Sequence, residues 1–293
     1  MLETGFQILI NSLISGLLLS LVALGFAFIF SITKVFHIAH GGIYATGGMM
    51  FWWIISLSDN WLISIALALI STLILIYTIE KAVYLPISRK RISQSISLIA
   101  SMGLYIVIIN ALALFFGNEN KQIANPISGS YEVGEVILTK VQVIQAITGF
   151  VTILFFYAYL KLTKSNLVFQ SISDSEIVSK VFGINTESER LKVFLIGSTL
   201  ACIASILKTL EVGIDLQSGM GITLTAAVVA ILVSRLSISL IIVFSVLLTL
   251  LQNSIEWFLD AQWKNGITFF ILLIVILFRT EGIISYNLRK DRA

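Results

Sequence analysis

Both histidines of this 293-residue chain, His37 and His40, fall in one fifteen-residue stretch, KVFHIAHGGIYATGG (34–48), together with Gly41, Gly42, Gly47 and Gly48. Two imidazoles three residues apart on a helix share a face, which is the spacing of a two-ligand metal site. No Asp, Glu or Cys accompanies them in the stretch, so such a site would lack its remaining ligands and no metal is expected. The chain carries no GxxxxGK[ST], so it cannot cradle ATP phosphates through a P-loop. Acids are nearly absent from its apolar runs, which disfavours coupling to protons or sodium. Glu80 with Lys81, and Lys208 with Glu211, lie near the ends of such runs and read as interfacial pairs. The single cysteine, Cys202, sits inside an apolar run and provides neither a disulfide framework nor a thiolate site. No residue is assigned a catalytic role, and no cofactor bound by this chain is expected.

The elements that must position these residues are membrane spans. The chain is 57% hydrophobic and 12% charged, with two prolines and a mean hydropathy of +0.98, whereas soluble domains carry about 25% charged residues. Apolar runs near the roughly twenty residues that cross a bilayer recur along the whole length. They predict an all-α, polytopic transmembrane helical bundle of nine spans, at 6–30, 38–57, 61–84, 95–116, 141–160, 193–209, 222–234, 238–255 and 266–278. The span count ranges from eight to ten, because the short segments after Gly213 leave room for a re-entrant run. The first run is too long for a signal-peptide core and is preceded by Glu3 rather than a basic region, so it reads as a retained span. No separate soluble domain is visible, and 1–293 reads as a single transmembrane domain.

Basic residues in short loops set orientation. A nine-span chain with its N-terminus outside and its C-terminus in the cytoplasm places 15 of the 19 Lys and Arg and 7 of the 16 acids inside, a net of +8 against −5 outside. All five tryptophans (Trp52, Trp53, Trp61, Trp257 and Trp263) then fall near outer span ends, where indoles suit the interface. Stripes of small residues, Ser12-Gly16-Ser20 on the first span and Gly197-Ala201-Ser205 on the sixth, mark faces of close helix approach.

The longest inside loop, 161–192, contains the expected coupling element. Its middle predicts a short amphipathic helix from Ser173 to Phe182, with Ser173 as cap and Asp174 and Glu176 in the first turn. Ile177, Val178, Val181 and Phe182 form its apolar side, and Gly183 stops it. A helix lying on the membrane surface is one reading. A protein partner is the other, favoured because Lys180 stands alone against two acids where an interfacial helix carries a basic face.

SDSEIVSKVFGINTESERLK (173–192), followed at once by a span, resembles the ATPase-coupling loop of importer permeases of the branched-chain amino acid type. The family's Asn-Phe-Ala-His-Gly stretch is similar to His37-Ile38-Ala39-His40-Gly41, and its Gly-Ala pair to Gly47-Gly48. SGMGITLTAAVVAIL (218–232) resembles the Met-Gly segment leading into a later span, and LFRTEGII (277–284) the family's closing Leu-Phe-Arg-Pro-x-Gly-Leu. Four departures stand out: His37 for Asn, Gly42 for an acid, VSRLS (233–237) for a glycine-rich run, and Thr280 for proline. The resemblance implies a transport subunit rather than an enzyme, seated as a multi-pass protein in the bacterial cytoplasmic (inner) membrane. It also implies two cytoplasmic ATPase subunits that carry the ATP, a second permease subunit, an extracytoplasmic solute-binding protein, the lipid bilayer as surroundings, and no nucleic acid. An autonomous secondary transporter or channel is the alternative.

The opening stretch then reads as pore wall. Glycines let the second helix begin in a broken or closely packed form, and irregular backbone at membrane depth is tolerated only where it is buried or lines a watery cavity. A second cluster, Gly213, Gly219 and Gly221, precedes the seventh span, and paired glycine-interrupted segments in two halves point to a pathway. The candidate pathway residues are His37, His40, Gly41, Gly42, Gly47, Gly48, Gly219, Met220 and Gly221. Tight packing, with both histidines hydrogen-bonded to carbonyls, accounts for the same residues.

Overall fold

Long apolar runs free of internal proline satisfy their own backbone hydrogen bonds by becoming helices, and the computed structural model follows that rule. It describes residues 2–90, 93–124, 127–134, 136–163, 165–233, 236–258 and 263–278. The helices in chain order are α1 (Leu2–Thr33), α2 (His40–Ser58), α3 (Trp61–Ile79), α4 (Leu85–Arg89), α5 (Gln94–Phe116), α6 (Lys140–Leu162), α7 (Ser165–Asp174), α8 (Glu176–Val181), α9 (Thr186–Val212), α10 (Ser218–Val233), α11 (Ile238–Phe258) and α12 (Trp263–Phe278). Six helical segments of the described residues are long and apolar enough to cross a membrane: 4–33, 61–89, 94–116, 140–162, 186–212 and 238–258. The remaining three apolar runs of the sequence lie on α2, α10 and α12. The chain is a mostly helical, multi-pass membrane protein. Residues 279–284 of its closing LFRTEGII motif and the basic tail that follows lie outside the described residues, as do Ser234 and Arg235 of VSRLS.

Helix ends follow local chemistry. Asp59 adopts a left-handed φ of 49° after α2, and Asn60 then caps α3 by accepting from the Ile63 amide at 3.2 Å. Thr139 and Gln142 form a reciprocal capping box at the start of α6. Between α3 and α4 the helix widens into a π turn, Glu80–Tyr84, where the Leu85 amide donates to the Glu80 carbonyl. Pro86 explains the widening: it has no N–H to give to the Ala82 carbonyl, and its ring would crowd that carbonyl in a tight α turn.

Burial sorts the helices into a centre and a ring. The most apolar windows of the 4–33 and 186–212 segments are 78% and 72% buried, against 22–28% for the other four, so α1 and α9 form the axis, with the buried first half of α2 packed against α9. The small-residue stripes make the axis possible. A Cβ at Gly25 of α1 would lie 2.5 Å from the Gly197 carbonyl of α9, and one at Gly16 would lie 2.7 Å from Val246 of α11. Thr249 of α11 donates to the Ser12 carbonyl at 3.0 Å, and Asn253 donates to the Ser12 hydroxyl at 2.9 Å.

Two connections between helices have structure of their own. An antiparallel hairpin, β1 (Ser130–Val133) with β2 (Val136–Thr139), stands between α5 and α6, and Gln7 of α1 both donates to and accepts from the Ile137 backbone at 3.0 Å. Residues 213–217, between the expected sixth and seventh spans, run non-helically into the bundle. Ile214 exchanges two 2.9 Å backbone hydrogen bonds with Lys121, and Ile214 and Leu216 are buried. Gly213 permits the departure from α9 with a φ of 79°.

Candidate functional site

The link 34–39 between α1 and α2 opens with Lys34 at a φ of 57° and brings His37 inside. Its Nδ1 is 2.8 Å from the Tyr84 hydroxyl, Tyr84 donates to the Ser101 hydroxyl at 2.9 Å, and Ser101 accepts from the Ala39 amide at 3.0 Å. With the Tyr84 proton directed at Ser101, Nδ1 of His37 is the donor to Tyr84. The Phe194 ring stacks on Tyr84 at 5.2 Å and 8°, and meets His37 edge-on at 5.4 Å. His40, the first residue of α2, packs 5.6 Å from His37 and 6.2 Å from Phe26. Both histidines are fully buried. His37 therefore satisfies its donor with a phenol rather than with a carbonyl. Among the described residues no group of three or more His, Cys, Asp or Glu gathers in a way that would hold a metal ion.

The glycines of the stretch are contact points on an unbroken helix. Gly41 meets Gly219 of α10, with the Thr223 hydroxyl close by; Gly42 meets Ile108 of α5; Gly47 meets Cys202 of α9; and Gly48 meets Ser205 and Thr209 of α9. Of the two forms the sequence allows for the start of α2, the packed one is realised. α10 begins at Ser218, four residues before the expected span, so Gly219, Met220 and Gly221 lie within its first turn. Gly219 is buried against α2, Met220 is half-buried, and Gly221 has no atom within 4 Å of where its Cβ would stand. Gly41 and Gly219 are thus brought together, while His37 faces Tyr84 and Phe194, His40 packs on Phe26, and Gly47 and Gly48 face α9.

The loop helix corrects the sequence reading. There are two helices, not one from Ser173 to Phe182: α7 continues through Asp174, and α8 starts at Glu176 with Ser175 as its cap, accepting from the Val178 amide at 3.3 Å. Ser173 does not cap, because tertiary contacts engage it. Its hydroxyl donates to the Ser31 carbonyl at 2.7 Å and accepts from Lys34 at 3.2 Å. Asp174 consequently sits in the last turn of α7 rather than the first turn of α8, facing Lys34. Burial lowers the Lys34 pKa and the Asp174 charge opposes that shift.

α7 and α9 hold α8 from behind. Phe169 and Ile172 of α7 are buried, Phe169 meeting Phe28 edge-on at 5.2 Å. Ser179 of α8 is buried and 2.9 Å from the Ser171 hydroxyl. The outer side is open: Ile177, Val178, Val181 and Phe182 are 59%, 50%, 80% and 78% exposed, too much apolar surface on one short helix to be left in water. Gly183 ends α8 at a φ of 81°, its amide donating to Lys180 and the Ile184 amide to Ser179, which is the complete Schellman pattern. Beside this surface a cleft of about 440 Å³ opens between Ser88 and Arg89 of α4 and Glu176, Ile177, Lys180 and Val181.

Three further residues belong to this constellation and were not singled out from sequence: Tyr84, Ser101 and Arg190. Glu80 is not an interfacial partner of Lys81; it is 1% exposed and faces Arg190, 3.6 Å from the guanidinium Nε. An acid inside an otherwise apolar run, with an arginine at the head of another, was the available signal. Lys208 and Glu211 do pair, at 2.8 Å, and Gln145 adds a 3.2 Å hydrogen bond to the same carboxylate.

Comparison with known proteins adds the family. Residues 8–277 match the family described as branched-chain amino acid transport system / permease component. The high-affinity branched-chain amino acid transport system permease protein BraD of Pseudomonas aeruginosa is 24% identical, and the alignment covers 95% of each chain. The corresponding LivH proteins of Salmonella typhimurium and Escherichia coli are 22% identical over the same share. Among solved structures, PsaBC from Streptococcus pneumoniae in complex with Fab is similar in fold, with a TM-score of 0.51 at 14% identity over 96% of this chain and 94% of that one. The family match runs nearly end to end over a bundle of apolar helices: the chain belongs to the permease components of branched-chain amino acid transport systems.

Proposed function

We propose that this chain forms half of the membrane pathway of an ATP-driven importer of branched-chain or related amino acids, and that α8 is the element through which the ATPase acts. The exposed apolar side of α8, rigidly backed by α7 and α9, is the observation that carries the reading. A folded helix holding Ile177, Val178, Val181 and Phe182 in solvent needs an apolar partner, and apolar anchors in such interfaces each contribute on the order of 2 kcal/mol or more. The full assembly comprises two ATPase subunits that bind ATP, a second permease subunit and an extracytoplasmic binding protein, in a bacterial inner membrane. In it 1–293 acts as one transmembrane unit with nine spans, its N-terminus outside and the 161–192 loop and C-terminus in the cytoplasm. The charge asymmetry and the tryptophan placement support that orientation. The pathway runs beside the α2–α10 contact of Gly41 with Gly219, with His37, His40, Gly42, Gly47, Gly48, Met220 and Gly221 shaping its wall.

The test is copurification of the ATPases together with amino acid uptake. Val178→Asp should lose the ATPases and stop uptake while inserting normally. Retention of both by that variant would remove α8 from the coupling account.

A further inference from the structure

Behind α8, two residues one turn apart on α9 face two residues one turn apart on the π turn. Arg190 faces Glu80, with both side chains almost wholly buried and Nε 3.6 Å from the carboxylate. Phe194 lies flat on Tyr84 at 5.2 Å. The two rungs work differently. Stacked rings resist being pushed together, but dispersion fades within an ångström of separation, so they cannot pull. An ion pair shielded from water keeps attracting as it opens, because Coulomb energy falls only as the inverse of distance and the surroundings screen it weakly. At 3.6 Å the contact is longer than a hydrogen bond, and neither Glu80 oxygen nor the Arg190 Nε makes a hydrogen bond among the described residues. The attraction is therefore not locked into one geometry.

Both ends of this pair lead to parts already described. At one end, Glu176 of α8 is 3.3 Å from the Thr186 hydroxyl at the head of α9, and Glu187 holds Arg89 of α4 through two 2.8 Å hydrogen bonds. At the other, Tyr84 holds His37 and Ser101, and Ser101 holds the Ala39 amide just before α2. A π turn is a local widening that shifts more readily than an α turn and is frequent at functional sites.

Resting on the proposed docking of an ATPase on α8, we infer that Glu80 and Arg190 are positioning residues for transport: the pair draws the π turn along when α9 moves, and so transmits displacement of α8 to Tyr84, His37 and the start of α2. Single loss of either charge, or replacement of both by apolar groups of like volume, leaves the push through Tyr84 and Phe194 but removes the pull.

The experiment uses the complete importer, with its ATPases and binding protein, in liposomes, and measures amino acid uptake and ATP hydrolysis together. Glu80→Gln should keep its ATPases and hydrolyse ATP within about 2-fold of the parent, while uptake falls at least 10-fold, so ATP spent per solute rises at least 5-fold. Arg190→Lys, which keeps the charge, should retain most of the uptake. Should the single variant fail to assemble, Glu80→Met with Arg190→Met removes the buried charges together and tests the same point, since such replacements are often tolerated. It should assemble and show the same raised ratio. A parental ratio in the double variant, or equal loss of uptake and hydrolysis in an assembled Glu80→Gln, would overturn the inference. Val178→Asp, run alongside, separates the two readings. If it keeps its ATPases and its uptake, docking on α8 fails and the inference with it. If it loses them while the Glu80 variants show the parental ratio, only the inference fails.

Discussion

Gly41 on α2 and Gly219 on α10 face each other so closely that the carbonyl oxygen of each stands where the other's Cβ would be. Backbones meet at this distance only when neither residue carries a side chain, and in lipid such contact is a principal source of helix association.

The contact makes a sharp comparison within one helical turn. Gly219→Ala should separate α2 from α10 at a cost of about 1–3 kcal/mol or more and reduce uptake strongly, while Gly221→Ala, with open space at its Cβ, should leave stability unchanged. Thermal unfolding in detergent and uptake in cells check the pair. Equal behaviour of the two variants would contradict the packing argument.

Gly183 offers a second comparison. No atom lies within 4 Å of its Cβ position, so substitution there is opposed only by the backbone, held at a φ of 81°. Gly183→Val should destabilise the end of α8 by about 1–2 kcal/mol or more and lower coupling of hydrolysis to uptake. Gly183→Asn, which tolerates the left-handed region, should remain close to the parent in hydrogen exchange of the 176–184 amides and in uptake.

Glu176 sets a pH dependence. Burial alone would raise its pKa, but Lys180 at 2.8 Å, Arg190 and the Thr186 hydroxyl outweigh burial and hold it below the ordinary value. Because the folded-state pKa lies below the unfolded one, of about 4.3, the stabilisation is fully present above that value and is lost as pH falls through the lowered folded pKa. Proteolytic protection of the 175–185 segment should therefore stay flat from about pH 8 to about pH 5 and weaken only in stronger acid. In Glu176→Gln the acid-induced weakening should disappear or shrink.

Orientation is testable by labelling. Cysteines at Asn118, after α5, and at Gln170, on α7, should react with membrane-impermeant reagents from opposite sides, Asn118 from outside. Both sites are exposed, and reaction of both from one side would overturn the nine-span arrangement.

Much of the fold was legible because helix formation in lipid is a local matter. Each long apolar run must satisfy its backbone internally, so the predicted 95–116 and 141–160 runs reappear as α5 and α6 with ends displaced by two residues or fewer. The Gly183 stop was equally readable, since the left-handed turn it makes depends on the residue itself. The start of α8 was not. Ser173 and Ser175 are equivalent caps by type, and the choice fell to a hydroxyl contact with Ser31, 142 positions away in sequence.

The same division runs through the candidate site. Composition, charge asymmetry and helical period by themselves determined a membrane bundle with an amphipathic loop helix, because hydrophobicity and capping act over a few residues. Which side chains meet was decided only by packing. His37 finds Tyr84 47 positions on, and Glu80 finds Arg190 rather than the adjacent Lys81. Glu80, the first residue of the π turn, lies buried. Buried charges and imidazoles take the partner that the tertiary fold places beside them, since an unpaired group away from water is costly, and sequence neighbourhood carries no record of that choice.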